Sequence, residues 1–106
     1  MSILGSEYMK NFRFKILKYG TKALEDLPLH EIGKNNPAME KELRDQTFEK
    51  SKDVEGNYCC AHCGFTDKSR IYFQVDHITS MNNGGKSVAN NLQILCRKCN
   101  GIKGDQ

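Results

Sequence analysis

At 106 residues the chain has room for one small domain, whose apolar core alone leaves a fold only marginally stable. No stretch approaches the roughly 20 apolar residues of a membrane-spanning helix, no basic segment leading into an apolar run marks a secretory signal, and five cysteines, an odd number, argue against a closed disulfide framework. A soluble protein in a reducing, intracellular setting is expected. The net charge of +3 is unevenly spread: five basic against one acidic residue through Lys22, five against nine from Ala23 to Glu55, six against three from Gly56 onward. Two basic ends around an acidic middle suit a polyanionic partner, although ordinary solvated surface charge produces the same pattern as often.

In chain order, Met1 to Tyr8 carries no strong pattern, and Met9 can itself serve as a start. Residues 9 to 19 alternate Phe12, Phe14 and Ile16 with Arg13 and Lys15, which reads as a half-buried strand; the spacing Met9, Phe12, Ile16 fits a helix equally. Residues 26 to 36, with Pro28, Gly33 and Asn35-Asn36, predict a connector. A helix then begins cleanly: Asn36 caps it, Pro37 suits the first helical position, and Glu40 and Glu42 favour its positive end. It is expected to run to about Asp53, with Met39, Leu43 and Thr47 or Phe48 facing inward. Arg70 to Ile78 is rich in β-branched and aromatic residues and predicts a strand, Thr79 to Lys86 a loop, Leu92 to Cys96 a second strand, and Arg97 the start of a helix. Residues 1–55 thus form an extension with one helix, and 56–106 a core.

Cys60 and Cys63 form one C-x-x-C pair, Cys96 and Cys99 another. A two-residue gap lets both sulfurs of a pair point at one centre, so the two knuckles supply four thiolates for a tetrahedral zinc ion at about 2.3 Å. Thirty-two residues separate the knuckles and contain both expected strands, so the metal would clamp the ends of that insert. Its binding free energy would then be largely folding free energy. Cys59 is left over, either a buried thiol or a competitor of Cys60, and His62 is more simply a bystander than a ligand.

A zinc closed by four thiolates cannot activate water, so catalysis needs other groups. Asp76, His77, Asn91 and Asn100 are the candidates. Neutral imidazole suits a general base, while an Asp carboxylate and an Asn carbonyl suit Mg²⁺ or Mn²⁺. Strand alternation sends Asp76 and His77 to opposite faces unless the strand ends there.

Together, Cys60-Ala-His-Cys63, Val75-Asp-His-Ile78, Gly84-Gly85, Asn91-Leu-Gln-Ile-Leu-Cys96 and Cys99-Asn100-Gly-Ile-Lys103 resemble the zinc-stapled form of the HNH endonuclease family, in the family's order over roughly residues 58 to 104. The resemblance implies an α+β fold with a small ββα-metal core clamped by the four-cysteine zinc site, below a mostly helical N-terminal extension. It implies His77 as general base, Asp76 and Asn100 as ligands of the catalytic ion, and Asn91 as the residue that holds the loop and orients the base. Lys103 falls where the family often has a basic residue able to meet the scissile phosphate, and Arg97 and Lys98 are further candidate nucleic-acid contacts. Asn in place of His at position 100 shifts the expected metal toward Mg²⁺ or Mn²⁺. A single ion would stabilise the leaving 3′ oxygen and leave 5′-phosphate and 3′-hydroxyl ends.

The first reading is therefore a DNA endonuclease in the cytoplasm of a bacterial or phage-infected cell, acting alone, as a homodimer or with a larger protein partner. Arg13 and Lys15 either add a groove contact or sit on a packed edge strand. A zinc module that binds nucleic acid without cutting it is the alternative, and the paired Asp76 and His77 speak against it. A protein-interaction zinc module would leave that pair and Asn100 idle.

Overall fold

The computed structural model describes residues 23–103; the strand-or-helix at 9 to 19 and the groove contact of Arg13 and Lys15 lie outside them. A 3-10 turn, Leu24–Asp26, leads into helix α1, Leu29–Asn35, and helix α2, Pro37–Lys50. Four strands follow, β1 Tyr58–Cys59, β2 Thr66–Asp67, β3 Phe73–His77 and β4 Leu92–Cys96, and then helix α3, Arg97–Lys103. The order strand, long loop, strand, helix is the ββα arrangement, and with the two leading helices the fold is α+β. Among the described residues no helix is long and apolar enough to cross a membrane.

The connector expected at 26 to 36 is instead mostly helical. Pro28 stands just before α1, where its missing N–H is no loss, and Gly33 lies inside the helix with the Glu40 carboxylate packed over it. Asn36 serves both helices. Its N–H bonds the Ile32 carbonyl at 2.7 Å to close α1, and its side-chain oxygen accepts from the Met39 N–H at 3.1 Å to cap α2. Pro37 forbids the helix from running straight on, so the two meet at a corner without a loop.

Helix α2 stops at Lys50, short of Asp53, because Asp53 takes part in a turn: its Oδ1 accepts from the Glu55 and Asn57 N–H groups at 2.9 and 3.0 Å. The first expected strand is shorter as well. Ser69 caps a 3-10 turn over Arg70–Tyr72, accepting from the Ile71 N–H, and β3 begins only at Phe73.

Strands β3 and β4 pair antiparallel with Phe73 opposite Cys96, Val75 opposite Ile94, Asp76 opposite Gln93 and His77 opposite Leu92. Alternation places Phe73, Val75, Leu92 and Ile94 on one face. That face is covered by the leading helices: Phe48 and Tyr58 pack with Phe73 and Ile94, while Leu27, Leu29, Ile32 and Leu43 pack with Leu92. Val75 touches both groups and joins them. Phe48, Tyr58 and Phe73 stack edge to face, with ring centroids 5.1 and 6.2 Å apart along the row.

Candidate functional site

The turn between β1 and β2 carries the first knuckle. It is closed by the Cys60 N–H on the Phe65 carbonyl at 2.8 Å and docked onto β4 by the Ala61 N–H on the Ile94 carbonyl at 3.0 Å. The second knuckle spans the junction of β4 and α3. In each, the N–H of the second cysteine points at the first sulfur at 3.5 Å, Cys63 to Cys60 and Cys99 to Cys96. All four sulfurs lie within 4.8 Å of one another, positioned to hold a metal ion. Cys63 Sγ and Cys96 Sγ are 3.7 Å apart, and thiolates around a tetrahedral zinc at ~2.3 Å stand about 3.8 Å apart, so the donor set fits that ion.

The thiols respond unequally to this crowding. Burial opposes ionisation of Cys60, yet backbone hydrogen bonds from Cys63, Cys96 and His62 bring it down to about 6. Cys99, buried and pressed by the other three thiols, is pushed up to about 12. Four sulfurs so close cannot all be anions without a cation among them. Cys59 stays out of the cluster, with Sγ 3.7 Å from the Asn57 carbonyl and 4.0 Å from Asp53, and His62 is exposed and also outside it.

Asp76 and His77 diverge as alternation requires, since β3 runs through His77. Asp76 turns toward α3, where Oδ2 accepts from Lys103 Nζ at 2.5 Å and from Gln93 Nε2 at 3.3 Å. The same ammonium also donates to the His77 backbone carbonyl. Asn100 lies one turn before Lys103 and so on the same side of α3, and its side chain makes no hydrogen bond to another described residue. The His77 ring turns the other way, its Nε2 2.8 Å from Ser87 Oγ. Burial lowers the His77 pKa below its usual value; Asp76 opposes this and Lys103 adds to it. The ring is therefore neutral at neutral pH.

The loop from His77 to Leu92 is tied down by Asn91. Its Oδ1 accepts from the Thr79 N–H at 2.9 Å, its Nδ2 donates to the Thr79 and Lys86 carbonyls at 3.0 and 2.9 Å, and its own carbonyl accepts from the Ile78 N–H at 2.8 Å. Gly85 lets the chain pass so close: a β-carbon there would run into the Thr79 carbonyl and the Asn91 amide. Beside this loop and α3 opens a cleft of about 370 Å³ lined by His62, Ile78, Gln93, Leu95, Ile102 and Lys103.

Arg97 donates through Nε to the Ile71 carbonyl at 2.9 Å, fixing the start of α3, and Lys98 is exposed. Ser87 and Gln93 are the neighbours that sequence reasoning missed. Gln93 follows once the β3–β4 register is known, since it stands opposite Asp76; Ser87 has no signal in its local sequence, because its partners lie 10 and 60 positions away.

Residues 60–106 match the family model described as HNH endonuclease, a match that takes in both knuckles, β3, the loop, β4 and α3. Neither the curated proteins nor the solved structures give a match to the chain.

Proposed function

We propose that this chain, whose residues 60–106 match the HNH endonuclease family model, hydrolyses DNA phosphodiester bonds with His77 as general base. The observation that carries this reading is the meeting of β3 and α3 at Lys103, whose ammonium bonds both the Asp76 carboxylate and the His77 carbonyl. Two hard oxygens converge there on positive charge, in a segment of the matching family. Residues 56–106 then form the nuclease core and 1–55 its extension.

The roles divide by chemistry. Zinc held by Cys60, Cys63, Cys96 and Cys99 is structural, because four thiolates leave it no open position. Asp76 and Asn100 would hold a Mg²⁺ or Mn²⁺ ion, which when bound supplies positive charge for the leaving oxygen. His77, kept neutral by burial, takes the proton of the attacking water. Asn91 keeps the loop, and with it the ring, in place. Lys103, on leaving Asp76, meets the phosphate, and exposed Arg97 and Lys98 neutralise neighbouring phosphates. The expected products carry 5′-phosphate and 3′-hydroxyl ends.

The test is conversion of supercoiled plasmid to nicked and linear forms by the full chain and its His77→Ala variant, in EDTA, Mg²⁺ or Mn²⁺. Cleavage by the unmutated chain alone, and only with added metal, supports the reading. DNA retarded on a gel but left uncut in every condition would replace it with a zinc-bearing nucleic-acid-binding module.

A further inference from the structure

Ser87 is fully buried, and its hydroxyl lies between two partners: His77 Nε2 at 2.8 Å and the Leu27 backbone carbonyl at 2.6 Å. A hydroxyl has one proton, and a carbonyl oxygen can only accept. The Ser87 proton therefore goes to Leu27, and the hydroxyl oxygen is left to accept from His77. That settles the imidazole: neutral His77 must carry its proton on Nε2, with the lone pair on Nδ1. Nδ1 has no hydrogen bond to another described residue.

The carbonyl at the end of this chain belongs to a turn outside the family match. That turn is held onto the loop by several bonds. The Ser87 N–H bonds the Glu25 carbonyl at 2.7 Å, Lys86 Nζ lies 2.6 Å from Asp26 and 3.4 Å from Glu25, and Leu27 is buried in the helical cluster. Two consecutive loop residues thus grip a segment about 60 positions earlier.

We infer that Ser87, oriented by the Leu27 carbonyl, is a positioning residue that locks His77 into the tautomer whose Nδ1 can accept a proton, and that the Leu24–Leu27 turn is thereby part of the active centre. The inference rests on the nuclease reading for its functional meaning. When Nδ1 takes a proton, Nε2–H becomes part of a cation and its bond to Ser87 strengthens, so the contact favours the protonated product of the base step over the resting ring. The Leu27 carbonyl has no proton to pass on, so the chain of bonds keeps one direction.

The tautomer is read directly from ring ¹⁵N shifts and long-range proton–nitrogen couplings of the zinc-loaded full chain at mildly alkaline pH. The unmutated protein is expected to show the Nε2–H form, and Ser87→Ala a mixture of both. On plasmid with Mg²⁺ or Mn²⁺, Ser87→Ala should lower kcat by about 10- to 100-fold with KM nearly unchanged, a loss of the size that second-layer hydrogen bonds carry. Lys86→Ala, which loosens the same turn but keeps the hydroxyl, should leave the tautomer as it is and kcat within about threefold. An Nδ1–H form in the unmutated protein overturns the inference, and that reading needs no variant to fold. So does a folded Ser87→Ala with unchanged tautomer and kcat, or a Lys86→Ala that keeps the Nε2–H form yet loses as much kcat as Ser87→Ala. A correct tautomer in a protein that cuts nothing would sink the nuclease reading while the hydrogen-bond assignment stood.

Discussion

The Lys103 ammonium sits 2.5 Å from the Asp76 carboxylate, with both side chains about one-fifth exposed. A lysine that neutralises a carboxylate competes with a cation for that carboxylate, so on the proposed reading metal uptake at Asp76 is opposed by Lys103. On the proposed nuclease reading, Lys103 then has two places to be, against the carboxylate or against a phosphate.

Replacing Lys103 by Met should therefore have opposite effects on two ligands. Mn²⁺ binding, followed by electron paramagnetic resonance, is expected to tighten about fivefold, corresponding to roughly 1 kcal/mol. DNA binding should weaken, and its logarithmic salt slope should fall by about 1, as expected for one lost phosphate contact. Unchanged Mn²⁺ affinity would mean that Lys103 does not compete at Asp76.

Removing one knuckle ligand should collapse the C-terminal part. Structural zinc contributes roughly 10–16 kcal/mol of apparent binding free energy in small domains, more than such a fold can lose. Cys60→Ser and Cys99→Ser are expected to purify without stoichiometric zinc and with reduced β-sheet and helix signal. Cys59→Ser, outside the cluster, should keep both. Stoichiometric zinc in both Cys60→Ser and Cys99→Ser with the fold unchanged would mean that neither Cys60 nor Cys99 is needed to hold the metal.

The pH dependence of cleavage has a definite sign. A base must be unprotonated to act, the unperturbed imidazole value is 6.5, and burial moves His77 below it. A divalent cation at neighbouring Asp76 would push it further in the same direction. The rate limited by His77 should thus rise with pH to a plateau, with its midpoint under 6.5. A midpoint above 6.5 would point to a different base.

Gly85→Ala should act through the backbone. The added β-carbon meets both the Thr79 carbonyl and the Asn91 amide that donates to it, so neither can yield alone. A loss of about 1–3 kcal/mol in urea unfolding is expected, together with reduced cleavage. Gly56→Ala makes the comparison, since nothing lies near its added carbon, and only the cost of its φ of +84° should appear.

Arg70 is a stability site. Its guanidinium lies 4.7 Å from the Phe48 ring centroid and donates to Asp45 Oδ1 at 2.7 Å and to the Tyr58 hydroxyl at 3.0 Å. It is two-fifths exposed, which screens the ion pair, so Arg70→Ala should cost about 1 kcal/mol in denaturant unfolding and leave zinc content unchanged.

Arg70 also illustrates what the sequence could and could not tell. Strand β4, the start of α2 and the start of α3 are legible because their signals are local: an apolar run ending in a cysteine, Asn-Pro at a helix entrance, a metal knuckle at a strand end. The start of β3 is not, because Arg70 is drawn away by Asp45, Phe48 and Tyr58, residues 12 to 25 positions distant. Gly33 misleads for a related reason. It reads as a breaker, yet Glu40 from the next helix fills the space a side chain would need. The four sulfurs are legible from spacing, whereas Ser87 is placed only by the tertiary packing of the Leu24–Leu27 turn.

Val75 and Leu92 link the helices to the hairpin, and this sets a lower bound on what can be cut away. The family match begins at Cys60, but a fragment starting there would lose Leu27, Leu29, Ile32, Leu43, Phe48 and Tyr58. Leu92 and Ile94, both wholly enclosed in the intact chain, would then face water beside Phe73 and Val75. Such an apolar sheet face associates with its own kind, so the excised segment would precipitate or pair with itself even with zinc in place. The packed unit is therefore longer than the segment that carries the family signature, and reaches back at least to Leu24.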